Sequence, residues 1–163
     1  MTKRTLIFTI ISTLSFIACN STKNERNTKQ ESKTETVKSV ETDVPFTEAK
    51  NYFVKNTYKD GELSNPKIST QADFDKIFGM ATTMGENGKP TPIDFSKQFV
   101  VAVIGQTTDK ATKLSVNSLK KIDHSMTLTY TQIEGEKQTY FILPVVLLII
   151  DNQFKGEVML QKK

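Results

Sequence analysis

The fold of this chain is decided by the stretch Phe99-Val100-Val101-Ala102-Val103-Ile104, which carries no polar side chain and ends at Gly105. A short apolar run closed by a turn residue predicts a buried strand. A second run, eleven residues from Tyr140 to Ile150 without a polar side chain, predicts a central strand covered on both faces. Pro144 inside this run indicates an edge, a bulge or a bend. The later part of the chain is therefore predicted to be β-structure.

Weaker strand patterns lie between and after these two runs. Met126, Leu128 and Tyr130 alternate with three threonines, which predicts a strand with one dry and one wet face. Further strand signals are Leu114 and Val116 in alternation with polar residues, the run 119–122 after a phase shift or bulge, turns at Gly135 and Asp151-Asn152, and a last strand over 156–160. Short turns between these strands predict an antiparallel meander.

One helix is predicted ahead of the strands. Phe74, Ile77 and Phe78 have the spacing i, i+3, i+4 and form one apolar face. Thr70, with Asp73 three residues later, is similar to a capping box and places the helix start at Ser69 or Thr70. Gly79 stands where a C′ glycine would stop the helix.

The earlier run Tyr52-Phe53-Val54 favours a strand, with one face of a helix as the alternative. The predicted fold class is α+β: an antiparallel β-meander, sandwich- or barrel-like, with one short helix. It occupies residues 44–163 as a single globular domain.

A long loop is predicted over residues 79–92, where glycine, proline, threonine and asparagine are frequent. Loops of this length are functional or mobile. Together with residues 106–111 the loop forms the candidate partner-binding surface. Its candidate residues are Met84, Glu86, Asn87, Lys89, Thr107, Thr108 and Asp109.

The N-terminus has the plan of an export signal. Met1 to Arg4 form a positive start, and Leu6 to Ala18 follow as 13 uncharged residues, too few for the roughly 20 that a membrane-spanning helix needs. The run Phe16-Ile17-Ala18-Cys19 resembles the lipobox of bacterial lipoproteins, with Phe16 where the family usually has Leu. The alternative is an ordinary secretory signal with a chance cysteine.

The lipobox resemblance implies that residues 1–18 are a signal peptide and that Cys19 carries diacylglycerol and an N-acyl group. Two or more acyl chains anchor a protein stably, since each buried CH₂ contributes about 0.8 kcal/mol. The next residues, Asn20 to Lys23, lack an acidic run, which favours a periplasm-facing leaflet. Residues 19–43 are polar and predict a disordered tether; no apolar stripe supports a helix there.

Composition excludes several kinds of site. The single Cys and single His rule out a disulfide scaffold, a Cys/His zinc site and a Cys–His nucleophile pair, unless a second chain contributes. The net charge is +4, of which about +2 belongs to residues 44–163, and the basic residues there are scattered, so nucleic-acid binding is not predicted. His124 is expected at a hairpin tip, away from any triad geometry. No catalytic residue, metal or cofactor is predicted.

A second resemblance concerns the globular domain. The run from Ile93 to Gly105, Ile-Asp-Phe-Ser-Lys-Gln-Phe-Val-Val-Ala-Val-Ile-Gly, is similar to a segment of the PrcB-like protease-stability domains of envelope lipoproteins. Pro144 with the strand 145–149 also resembles that family, whereas residues 106–109 depart from its glycine-rich turn. The resemblance implies a non-catalytic domain that binds or stabilises a protein partner.

Two alternatives remain for the function: a small-ligand carrier, and an envelope hydrolase dependent on carboxylates. The second would need two of five acidic residues to converge in one pocket. These residues are Asp94, Asp109, Asp123, Glu134 and Asp151.

Overall fold

The computed structural model of the chain describes residues 39–59 and 63–163. The predicted signal peptide, Cys19 and the predicted tether up to residue 38 lie outside the described residues. The elements are β1 (Glu41–Asp43), β2 (Thr47–Glu48), β3 (Tyr52–Val54), β4 (Lys67–Ile68), α1 (Gln71–Ile77), β5 (Phe78–Met80), β6 (Gln98–Ile104), β7 (Thr108–Ile122), β8 (Ser125–Ile142), β9 (Val145–Asp151) and β10 (Glu157–Lys162), with 3₁₀ turns at Glu86–Gly88 and Asn152–Phe154. No helix in these described ranges is long and apolar enough to cross a membrane.

The strands form two four-stranded sheets and one two-stranded ladder. Sheet 1 has the order β1-β7-β8-β10, sheet 2 has the order β2-β9-β6-β4, and β3 pairs with β5. The strand pairs are antiparallel except β8 with β10, which is parallel. The predicted α+β class with antiparallel sheets and one short helix is confirmed, and the sheets are arranged as a sandwich.

Strands β6 to β9 are one continuous hairpin ladder that is folded over. The ladder runs from the pair Gln98↔Asp151 to Ile104↔Val145 in sheet 2. The Gly105 N–H donates to the Pro144 carbonyl at 2.8 Å, and the ladder resumes in sheet 1 with Thr108↔Ile142. It ends at Ile122↔Ser125 beside the turn at Asp123-His124. The sandwich therefore arises because one ribbon bends at residues 105–107 and 143–144.

The main core lies between the two halves of this ribbon. Its buried residues are Val44, Phe99, Val101, Val103, Leu114, Leu119, Met126, Leu128, Val146, Leu148 and Ile150. The alternate residues Val100, Ala102 and Leu147 lie on the opposite face of sheet 2, where they pack against Phe74 and Phe78. Strands β6 and β9 are thus covered on both faces, which explains their unbroken apolar sequence. The buried strand predicted over residues 99–104 is confirmed.

Helix α1 begins as predicted and ends differently. Thr70 is the N-cap, and its hydroxyl accepts the Asp73 N–H at 3.1 Å. The helix ends at Ile77, and Gly79 lies in β5 opposite Phe53, so the prediction of Gly79 as a C′ stop is wrong. A Cβ on Gly79 would lie 2.5 Å from Phe53 Cζ. The absence of a side chain at Gly79 leaves room for the Phe53 ring.

Two strand boundaries predicted from the sequence are wrong. Gly135 lies inside β8, which continues to Ile142, and a Cβ there would come within 2.9 Å of the Ala111 carbonyl oxygen of the neighbouring strand. The run 140–150 is not one strand: its first three residues end β8, Pro144 lies in the bend, and β9 begins at Val145. Of the alternatives that Pro144 indicated, the bend is the one observed.

The ordered body begins before the predicted boundary at residue 44. Residues 41–43 form β1, an exposed edge strand paired with residues 120–122 of β7. The Val44 N–H continues the contact by donating to the Leu119 carbonyl at 2.9 Å. Backbone pairing at a sheet edge requires no apolar side chains, so the polar composition of this segment does not reveal it.

Candidate functional site

An exposed aromatic pair lies at the bend of the ribbon. Between the pairs Thr108↔Ile142 and Lys110↔Lys137, β7 has one residue, Asp109, and β8 has the four residues 138–141. This bulge includes Tyr140 and Phe141, whose exposed fractions are 57% and 74%. Bulges re-aim side chains and interrupt pairing, which accounts for two large rings directed to solvent within a strand.

Three residues of the predicted partner-binding surface lie beside this bulge. Thr107 is the last residue of the bend, Thr108 begins β7, and Asp109 is the residue opposite the extra β8 residues. We call the set Thr107, Thr108, Asp109, Tyr140 and Phe141 the bend surface. It combines polar residues that the sequence identified with an aromatic pair that the sequence analysis assigned to the core.

Ion pairs between β7 and β8 flank the bend surface. The Asp109 carboxylate lies 3.0 Å from the Lys137 ammonium, and Glu134 lies 2.7 Å from Lys110. The hydrogen bond and charge of Lys110 hold the pKa of Glu134 below its usual value, and Glu134 in turn raises the pKa of Lys110. Exposed pairs of this kind contribute little to stability, but they fix the charge pattern around the aromatic rings.

The outer edge of β8 is open next to the bend surface. The Glu157 N–H donates to the His124 carbonyl and the Lys163 N–H to the Tyr130 carbonyl, both at 2.9 Å, so even-numbered β8 residues direct their backbone groups towards β10. This pairing ends at Lys162↔Tyr130. Gln132 and Glu134 continue the row, because backbone direction alternates along a strand. Within the part of the chain that the structure describes, no strand pairs with them on that side.

In the loop predicted over residues 79–92, of which residues 79–80 belong to β5, the Asn51 side chain makes two of the hydrogen bonds that hold the backbone. The Asn51 amide donates to the Asn87 carbonyl at 2.7 Å and to the Lys89 carbonyl at 2.9 Å. Asn51 has a φ of 62°, a conformation that asparagine adopts more readily than most residues. The backbone of the loop is therefore fastened at the two predicted residues Asn87 and Lys89, whose side chains stay exposed.

The predicted surface divides into two parts. Met84 is fully exposed, and the side chain of Glu86 lies outside what the structure describes. The described residues of the loop make no hydrogen bond or ion pair with residues 106–111. The loop and the bend surface are therefore treated as separate surfaces.

Tyr140 and Phe141 are the candidate residues that sequence reasoning missed. They belong to an apolar run, and apolarity alone does not distinguish an exposed aromatic residue from a core residue. Pro144 was the available signal, because a proline that ends pairing separates residues 140–143 from the buried strand that follows.

The five acidic residues considered for hydrolysis have separate local roles. Asp94 accepts from Ser96, and Asp151 accepts the Gln153 N–H at 2.8 Å as a cap of the 3₁₀ turn. Asp109 and Glu134 form the ion pairs above, and Asp123 lies in the turn between β7 and β8 at a φ of 52°. No group of three metal-ligating side chains occurs among the described residues. Among the residues that the structure describes, these carboxylates therefore have separate local contacts.

A small cavity lies where helix α1 meets the long loop. Its volume is about 290 Å³, and its lining includes Tyr52, Phe74, Met80, Pro92 and Ile93. Ligand pockets usually measure about 300–1,000 Å³, so this cavity is at the lower limit for a carrier. The hydroxyl of Tyr52, one of the lining residues, donates to the Thr91 carbonyl at 2.7 Å.

No family model, no curated protein and no solved structure matches this chain.

Proposed function

We propose that this chain is a bacterial envelope lipoprotein, anchored through acylated Cys19, whose β-sandwich binds a protein partner at the bend surface. The observation that carries the partner-binding role is the aromatic pair Tyr140–Phe141, exposed on a bulge and flanked by ion pairs. The anchor is supported by the sequence Ala18-Cys19, which follows 13 uncharged residues and contains the only cysteine of the chain.

The chemistry of the bend surface suits a protein partner. Aromatic side chains are enriched at interfaces and dominate their energetics when a partner covers them. Around Tyr140 and Phe141 the ion pairs provide the polar rim that such interfaces usually have. The open edge of β8 adds backbone donors and acceptors at Gln132 and Glu134, which an extended segment of a partner can pair with.

The anchor places the sandwich near a membrane surface. About 20 residues separate Cys19 from the first described residue, Ser39. The tether predicted from the sequence, as a random coil of that length, would have an r.m.s. reach of roughly 25 Å. The body would then reach partners that lie beside the membrane, and the absence of an acidic run after Cys19 favours the periplasm-facing leaflet.

The partner-binding role is tested by crosslinking in intact cells. The double substitution Tyr140→Ser with Phe141→Ser removes both rings, and Met159→Ser is the control because Met159 is comparably exposed, at 55%, on β10. We expect a crosslinked species that disappears with the double substitution and persists in the control. The same species in all three chains would overturn the role of the bend surface.

The anchor is tested separately with labelled palmitate. The wild-type chain should incorporate the label and sediment with membranes, whereas Cys19→Ser should do neither. A Cys19→Ser chain that still sediments with membranes would refute lipid anchorage while leaving the crosslinking result intact.

A further inference from the structure

The sandwich is open along the side where β4 and β10 face each other. Strand β4 is the edge of sheet 2, and β10 is the edge of sheet 1. A cleft of about 540 Å³ lies between them, lined among others by Ser64, Asn65, Lys67, Ser69 and Glu157. The cleft lies towards the opposite end of the β7–β8 ladder from the bend surface, because it adjoins Gly156 and the turn at His124.

Lys67 crosses the cleft with its ammonium group partly buried. Its Nζ donates to the Gly156 carbonyl at 3.0 Å and lies 4.5 Å from the centroid of the Phe99 ring. Phe99 belongs to the main core, so the cation sits at the boundary between the core and the cleft. An ammonium has three N–H donors. The Gly156 carbonyl takes one of them, which leaves N–H donors for a group in the cleft.

The charges around Lys67 favour an anion. None of the ion pairs of the described residues involves Lys67. Burial lowers the pKa of Lys67, and the neighbouring cations Lys155 and Lys121 lower it further. Glu157 is the carboxylate that lines the cleft, and it opposes a second negative charge there. Lys67 and Glu157 are the charged side chains among the residues that line the cleft, and Lys121 and Lys155 lie near enough to Lys67 to add positive charge beside it.

We propose that this cleft binds a small oxyanion, a carboxylate or a phosphate, with Lys67 as its counter-ion. The hydroxyls of Ser64 and Ser69 and the amide of Asn65 line the same cleft and supply neutral donors for the remaining oxygens. A bound anion would neutralise the repulsion among the three lysines. This site is independent of the partner-binding role proposed for the bend surface.

The test is a titration of the full-length Cys19→Ser chain, followed by the backbone amide NMR signals of Ser69 and Gly156. The probes are inorganic phosphate and acetate, with sodium chloride at matched ionic strength as the reference. We expect saturable shifts with at least one oxyanion and no saturable shift with chloride. Saturation by phosphate alone identifies a phosphate site, and saturation by acetate alone identifies a carboxylate site.

Three variants decide whether Lys67 carries the binding. Lys67→Met keeps an unbranched side chain, one atom shorter than that of Lys, and removes the charge, so binding should weaken at least about tenfold, as for loss of a hydrogen bond to a charged group. Lys76→Met is the control, because Lys76 pairs with Asp73 on the helix. Glu157→Gln removes the opposing charge and should tighten binding. Equal affinities in Lys67→Met and the wild-type chain, or linear shifts with both probes, would overturn the proposal.

Discussion

The folded-over ribbon predicts that alanine substitution of two leucines, which face each other across adjacent strands, lowers the free energy of unfolding by very different amounts. Leu128 of β8 and Leu160 of β10 are register partners on the same face of sheet 1. Leu128 is fully buried between the sheets, with an exposed fraction of 0%, whereas Leu160 is 40% exposed. Substituting each by alanine removes the same atoms from two environments.

The expected magnitudes follow from burial. Leu128→Ala loses the transfer free energy of the side chain and leaves a cavity between two sheets, a cost of about 2.7–5 kcal/mol. Leu160→Ala loses only part of the transfer free energy and leaves a space open to solvent, a cost of about 1–1.5 kcal/mol. The difference of about 2 kcal/mol corresponds to a change of roughly 30-fold in the unfolding equilibrium.

The assay is urea denaturation of the full-length Cys19→Ser chain carrying each substitution. With a slope of about 1.5 kcal/mol/M, Leu128→Ala should lower the midpoint by about 2 M or more, and Leu160→Ala by less than about 1 M. Equal midpoints for the two variants would mean that sheet 1 does not cover sheet 2 at Leu128. The sandwich arrangement would then be refuted.

Three further predictions concern the cap, a glycine contact and a surface ion pair. Thr70→Ala should lower the free energy of unfolding by about 1 kcal/mol because the first turn of α1 loses its cap, and Thr70→Ser should restore most of it; urea denaturation of both variants checks this. Gly156→Ala should destabilise the chain more than Gly85→Ala: both residues have a positive φ that disfavours alanine, 159° and 105°, but a Cβ at 156 also lies 2.3 Å from a backbone carbonyl oxygen, while nothing lies within 4 Å of one at 85; the reverse order of melting temperatures would contradict the pairing of β10. Lys110→Met should raise the pKa of Glu134, which the ammonium holds below its usual value. Because the folded pKa is depressed, the pair stabilises the fold above the usual carboxyl pKa and loses this effect as the pH falls through the folded value; an unchanged carboxyl titration by NMR would count against the pair.

The sequence predicted those features whose signal lies within a short segment. The run 99–104 is apolar because both of its faces are covered, and the helix start is visible because Thr70 caps it. The phase shift predicted before Leu119 corresponds to the register shift between Val116 and Ser118. In each case the signal lies within a few consecutive residues, even where the contacts that cause it, as for the run 99–104, are made with distant parts of the chain.

Features that depend on distant contacts were not predictable in this way. A glycine in a sequence indicates a turn. Gly135 and Gly79 instead lie where the backbone comes close to Ala111 and to Phe53. An apolar residue in a sequence predicts a position in the core. Tyr140 and Phe141 are exposed nevertheless, because a bulge opposite Asp109 directs them outward. The candidate site was therefore found only in part from sequence: Thr107 to Asp109 were identified, and their aromatic neighbours were not.

The continuous ladder from β6 to β9 also bears on the order in which the chain assembles. Gln98 and Asp151 pair although 53 positions separate them in the sequence. Closing a loop of that length in one step would be slow. Growth outward from the tip at Asp123 replaces that single closure by many short ones, each bringing the next pair together. The two halves can stack only after the growing ladder has passed Pro144. Substitutions at the tip should therefore affect the earliest steps of folding, and substitutions at residues 98 and 151 the latest steps.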